Sequence, residues 1–139
     1  MHAFLRQHAH GIEKFSILYP DYPTRDAARA AVLAACDVEA TSSLGANLEL
    51  NAPGVNKGRA LVALAETLGY RRENVMACGD SDNDLAMIRM AGLGVAMGNA
   101  QPEVLAAADA VTGDNNHDGV AQAIEKYILQ GAGSGAERY

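Results

Sequence analysis

The chain has 139 residues, with 11 Lys plus Arg against 17 Asp plus Glu and a formal net charge of −6. That length suits one ordinary domain burying about two-thirds of its unfolded surface. The acidic balance argues against non-specific nucleic-acid binding, and no apolar run of about 18 residues or signal-peptide pattern points to a membrane or to export.

Met1 to Gly11 carries His2, His8 and His10. Two residues apart on a fraying terminus, His8 and His10 read as incidental rather than as a metal pair. Ile12 to Tyr19 alternates in part and predicts a strand. Pro20 to Thr24 predicts a turn, with Pro23 or Thr24 opening a helix. Ala27 to Cys36 is an alanine-rich helix with Ala28, Val32 and Ala35 near one face. Glu39 to Ser43 and Ala46 to Leu50 read as a hairpin about Leu44-Gly45, with Leu48 and Leu50 on one face and Asn47 and Glu49 on the other. Cys36 and Cys78 lack metal-like spacing, so free thiols in a cytoplasmic protein are expected.

Asn51 to Asn56 reads as a linker, and Lys57 follows it. A cation is electrostatically unfavourable at a helix N-terminus, and Gly58 is a poor helix former. The helix beyond is nonetheless strongly amphipathic, with Leu61, Leu64, Ala65 and Leu68 spaced i, i+3, i+4 and i+7. A lysine and free backbone N–H groups at one helix end would attract the same phosphate. On placement alone an exposed surface lysine is an equally good reading. Gly54-Val55-Asn56-Lys57-Gly58 lacks the spacing and the Gly-Lys-Ser/Thr order of a Walker A loop.

Val75 to Cys78 predicts a strand buried on both faces, and Gly79-Asp80-Ser81-Asp82-Asn83-Asp84 follows it directly. Ligands of open α/β sheets bind at the carboxyl ends of strands. If a helix begins here, Asp80 and Asp84 lie one turn apart on one face. Clustered carboxylates at such a place repel one another unless a hard cation such as Mg²⁺ or Ca²⁺ lies between them. An EF-hand would need Gly where Leu85 stands and Glu where Ala91 stands. A helix running to about Ala91, a short strand over Leu93 to Met97, a helix begun by Pro102 and a strand over Ala110 to Thr112 come next. Gly92 and Gly94 begin like a dinucleotide fingerprint, but Met97 replaces its third glycine and a strand replaces its helix. Asn115, Asn116 and Asp118 are placed to cap a helix holding Val120, Ile124, Tyr127 and Ile128. His117 reads as a loop residue, and Gln130 to Tyr139 as a disordered tail.

Two of these stretches resemble known motifs. Gly79-Asp80-Ser81-Asp82-Asn83-Asp84-Leu85-Ala86-Met87, with Ala91 to Ala100 behind it, resembles the fourth motif of haloacid-dehalogenase-superfamily phosphatases of the Cof-like branch. Pro53-Gly54-Val55-Asn56-Lys57-Gly58 resembles that branch's third motif. The likeness implies an α/β fold: part of a three-layer Rossmann-like core with parallel strands, at residues 53–130. Residues 1–52 would be the closing part of an α+β cap, and 131–139 a tail. It also implies a Mg²⁺-dependent phosphohydrolase acting on small phosphorylated metabolites by phosphoryl transfer to an aspartate and then to water.

Carried over residue by residue, Asp80 would bind magnesium. Asp84 would complete the metal's surroundings or hold Lys57, while Lys57 and Asn83 would touch the phosphate. Asp82 occupies a variable position and would face solvent. The sequence departs from the family in one large respect: the Asp-x-Asp-Gly-Thr motif that supplies the nucleophile is absent, as is a placeable second motif. The chain is therefore expected to be inactive alone and to pair as a homodimer or with a complementary N-terminal half, because the strand over Val75 to Cys78 would present an open edge. The alternative is a non-catalytic protein that keeps the fold to oligomerise or to bind phosphate or metal.

Overall fold

The computed structural model describes residues 2–130, so the tail expected at 131–139 lies outside the described residues. The chain divides into two compact units, Met1–Asn56 and Lys57–Tyr139. No helix among the described residues is long and apolar enough to cross a membrane.

In the first unit, α1 (His2–Gln7) and a short 3₁₀ turn (Ala9–Gly11) occupy the terminus expected to fray. His8 stacks on Phe4 with ring centroids 4.2 Å apart, and its Nδ1 donates to the Phe4 carbonyl at 2.9 Å. The ring is thus used locally. β1 (Lys14–Leu18) precedes α2 (Tyr22–Ala35), which starts earlier than expected because Asp21 is its cap, accepting from the Thr24 N–H at 2.7 Å. β2 (Glu39–Thr41) and β3 (Asn47–Asn51) complete an antiparallel sheet in the order β1-β3-β2. β3 is central, with Ile17 opposite Leu48 on one side and Ala40 opposite Leu50 on the other.

Leu48 is fully buried, and Asn47 and Glu49 on the opposite face of β3 are, less expectedly, nearly so. A buried polar group needs partners, and these have them. Asn47 Oδ1 accepts from Ser42 Oγ at 2.8 Å, from the Ser43 N–H at 3.0 Å and from the Leu44 N–H at 3.1 Å. Glu49 takes Ser43 Oγ on one oxygen and the Lys14 ammonium on the other, both at 2.8 Å. Pro53 to Asn56 stays with this unit, where Glu39 Oε1 accepts from the Gly54 N–H at 3.2 Å and from Asn56 Nδ2 at 3.3 Å.

The second unit begins with α3 (Lys57–Thr67), and β4 (Met76–Gly79), α4 (Leu85–Met90), β5 (Leu93–Ala96), α5 (Pro102–Ala107) and β6 (Ala110–Val111) follow. It closes with α6 (Gly119–Ile124), which runs on as π-helical Glu125–Leu129. The strands form a parallel sheet in the order β4-β5-β6, as the alternation of helices and buried strands requires. Ile88, Ala96, Ala100 and Val104 make its core, with Leu85, Ala107 and Ala108 packed around them. Asp118 stands at the N-cap of α6 as expected, but in the left-handed region (φ 53°) and with no capping bond from its side chain.

Gly58, the poor helix former, has a packing reason. A Cβ there would stand 2.5 Å from the Ala86 carbonyl oxygen, so the bare backbone lets α3 lie against α4. Gly58→Ala would gain helix propensity of up to about 1 kcal/mol, but overpacking typically costs about 1–3 kcal/mol. Thermal melting should therefore show a lower Tm for Gly58→Ala; an unchanged or higher one would mean that the two helices can separate freely.

The stripe of α3 expected to enter the core is largely uncovered. Leu64 is 57% and Leu68 61% exposed, and across from them Val120, Ile124 and Ile128 of the last helix are also exposed. Between the two helices runs an apolar groove of about 540 Å³, floored by Val75, Met76 and Cys78. No strand among the described residues pairs with the outer edge of β4.

Candidate functional site at the carboxyl end of the parallel sheet

The chain leaves β4 at Gly79, passes Asp80 and Ser81, and makes a 3₁₀ turn over Asp82–Asp84 before α4 begins at Leu85. Asp80 and Asp84 are thus joined by a folded-back loop rather than by one turn of α-helix. Asp84 is buried and turns back toward the strand, where its Oδ2 accepts the Asp80 N–H at 3.1 Å and the Ser81 N–H at 3.3 Å. Gly79 makes this possible, since a Cβ there would lie 2.5 Å from the Asp84 Cβ.

The other Asp84 oxygen meets Lys57 Nζ at 2.5 Å, across 27 positions of sequence. The ammonium heading α3 therefore sits at the same strand end as the acidic loop. The Lys57 side chain is half exposed and that of Asp84 only 11% exposed, so the carboxylate is fixed by the protein while one side of the amine faces water. The lysine of this ion pair is open to solvent screening, so the pair adds only modestly to stability. The pair holds the ammonium in place at the strand end while half of the Lys57 side chain stays exposed.

Asp80 is half-buried and held differently. Its Oδ1 accepts from Ser81 Oγ at 2.9 Å, and its Oδ2 from Asn99 Nδ2 at 3.1 Å. Both donors are neutral, and lone pairs remain on the carboxylate for a further partner. The sequence places the Gly98-Asn99-Ala100 loop at a strand end near the acidic loop if the two strands are neighbours, as β4 and β5 are, but it gives neither hydrogen bond. The signal for Asn99 was its place just beyond β5, because loops leaving neighbouring parallel strands lie side by side. Asn83 is half-buried within the turn, and so is Asp82, which had been expected to face solvent.

Among the described residues no three His, Cys, Asp or Glu side chains converge on one metal ion. The donor set is one outward carboxylate among oxygen donors, with no soft ligand. That fits Mg²⁺, which is commonly held by one or two carboxylates and keeps several waters, better than a metal needing a full cage of side chains.

The sequence profile of the haloacid dehalogenase-like hydrolases matches residues 2–124. Over 93 residues the chain is 55% identical to the 5-amino-6-(5-phospho-D-ribitylamino)uracil phosphatase YcsE of Bacillus subtilis, covering 67% of this chain and 37% of that protein. Over 123 residues it is 35% identical to the pyridoxal phosphate phosphatase YbhA of Escherichia coli, covering 88% of this chain and 45% of that protein. A solved haloacid dehalogenase-like hydrolase from B. subtilis superposes with a TM-score of 0.77 at 37% identity, over 84% of this chain and 41% of its own. The chain thus spans less than half the length of these relatives. Matched over most of its residues by sequence and by fold, it belongs to the haloacid dehalogenase superfamily, in the Cof-like branch.

Proposed function

We propose that these residues carry the magnesium- and phosphate-holding half of a Cof-like phosphohydrolase that acts on small phosphorylated metabolites. The observation that carries the reading is the Lys57–Asp84–Asp80 chain of contacts, which places an ammonium and an available carboxylate at one strand end. Relatives named as phosphatases of a phosphoribityl compound and of pyridoxal phosphate support the substrate class.

Asp80 is the residue that would hold Mg²⁺, which when bound neutralises charge building on the transferred phosphoryl group. Lys57, fixed by Asp84, offers its ammonium to the phosphate, with Asn83 beside it as a neutral donor. Of the two roles expected for Asp84, its contacts support the holding of Lys57, since both oxygens are committed to protein donors. Residues 1–52 would contribute part of a substrate-selecting cap.

Titrating Mg²⁺ into the chain by calorimetry tests the site. Binding heat is expected for the wild type and not for Asp80→Ala. Equal heats would remove Asp80 from the metal site, and no heat in either would favour a non-catalytic protein that keeps only the fold.

A further inference from the structure

Asn99 follows β5, in the stretch Ala91 to Ala100 where the resemblance assigns no residue a role, and it joins two strand-end loops. Its Nδ2 donates to Asp80 Oδ2 at 3.1 Å, while its Oδ1 accepts the backbone N–H of Asn115 at 2.9 Å. A carboxylate needs a donor and an N–H needs an acceptor, and the Asn99 amide supplies one of each from two different atoms. The pairing also fixes which way the amide points. Turned over, it would set oxygen against oxygen at Asp80 and hydrogen against hydrogen at Asn115.

The loop that Asn99 grips is itself tied together. Asp114 Oδ1 accepts the Asn116 N–H at 2.8 Å and His117 Nδ1 at 2.6 Å, and the Asp114 carbonyl accepts the Gly119 N–H at 3.1 Å. On the other side, the Asp80 carbonyl accepts the Gln101 N–H at 2.9 Å, which holds the loop bearing Asn99 against the acidic one. Asn99 is therefore anchored at both ends.

We propose that Asn99 is a positioning residue: it sets the orientation of the Asp80 carboxylate toward the cation and couples that carboxylate to the 113–118 loop. This rests on Asp80 being the magnesium-binding residue. Asn99 does not touch the phosphate or the metal; it acts through Asp80.

The test pairs Mg²⁺ calorimetry with hydrogen exchange at the Asn115 amide, using the whole chain. Removing an outer partner of a metal-binding side chain typically weakens metal affinity about 10–100-fold. Asn99→Ala should weaken Mg²⁺ by at least roughly tenfold, and its Asn115 amide should exchange faster and stop responding to added Mg²⁺. The amides of β5 serve as the control for an intact fold. Asn115→Ala keeps the backbone N–H and should bind Mg²⁺ as the wild type does. Wild-type affinity in Asn99→Ala, or an unchanged Asn115 exchange rate, would overturn the role of Asn99 and leave Asp80 standing. Failure of the wild type to bind Mg²⁺, or unaltered binding by Asp80→Ala, would overturn both.

Discussion

Incubated with Mg²⁺ and p-nitrophenyl phosphate, the chain on its own is expected to show no turnover above the buffer rate. In the proposed reading the site at the end of β4 would hold a cation and present an ammonium to a phosphate, but neither group attacks phosphorus. In the family the attack belongs to an aspartate of an Asp-x-Asp-Gly-Thr motif, and these 139 residues contain no such motif. Removing a covalent nucleophile typically lowers turnover on the order of a millionfold, with a residue of rate left by positioning and charge stabilisation alone. Supplying the matching N-terminal segment of a Cof-like relative as a second polypeptide should restore turnover, and Asp80→Ala or Lys57→Ala should abolish it again. Ordinary turnover by the chain alone, indifferent to Asp80→Ala, would refute both the expected inactivity and the site.

What could be read from the residues and what could not divide along physical lines. The strand at Val75 to Cys78, the acidic loop and the amphipathic period of α3 are local patterns, and the structure has all three. The 3₁₀ turn over Asp82–Asp84 was not legible, because it exists to let Asp84 reach two amides and a lysine 27 positions away. α1 is not legible because the histidines that stand out near it, His2, His8 and His10, carry no helical period and only His2 lies in it. The alternation in β3 was read correctly, yet its polar face proved buried, since the acceptors there are satisfied by Ser42, Ser43 and Lys14, which lie on other segments. Asn99 shows the same limit: that its loop lies near the acidic one is readable if the strands are neighbours, but which groups its amide joins is not. Period and turn chemistry are properties of a few neighbouring residues, whereas partners of buried polar groups are properties of the whole fold.

The groove between α3 and the last helix should be a binding surface, and its expected occupant is an apolar strand with its helix from the complementary N-terminal half. Two observations converge on that occupant. Among the described residues β4 is an edge strand of a parallel sheet, a class whose faces are normally covered, and the relatives run to more than twice the span matched here. Leu64 and Leu68 are already more than half exposed, so Leu64→Asp should leave the fold intact. In an occupied groove, burying a leucine is worth about 1.5–3 kcal/mol, and an unpaired carboxylate costs more again. Leu64→Asp should thus weaken association with the complementary segment by at least about tenfold to a hundredfold, as read by light scattering on mixtures. Cys78 supplies a second readout from inside the groove. Burial pushes its thiol pKa up, so it should label more slowly than the exposed Cys36 even in the free chain, and become protected when the segment binds. Self-association of the chain through the same edge, lost in Leu64→Asp, would make a second copy the occupant instead. A monodisperse monomer that ignores the added segment and leaves Cys78 reactive would show that the groove binds neither.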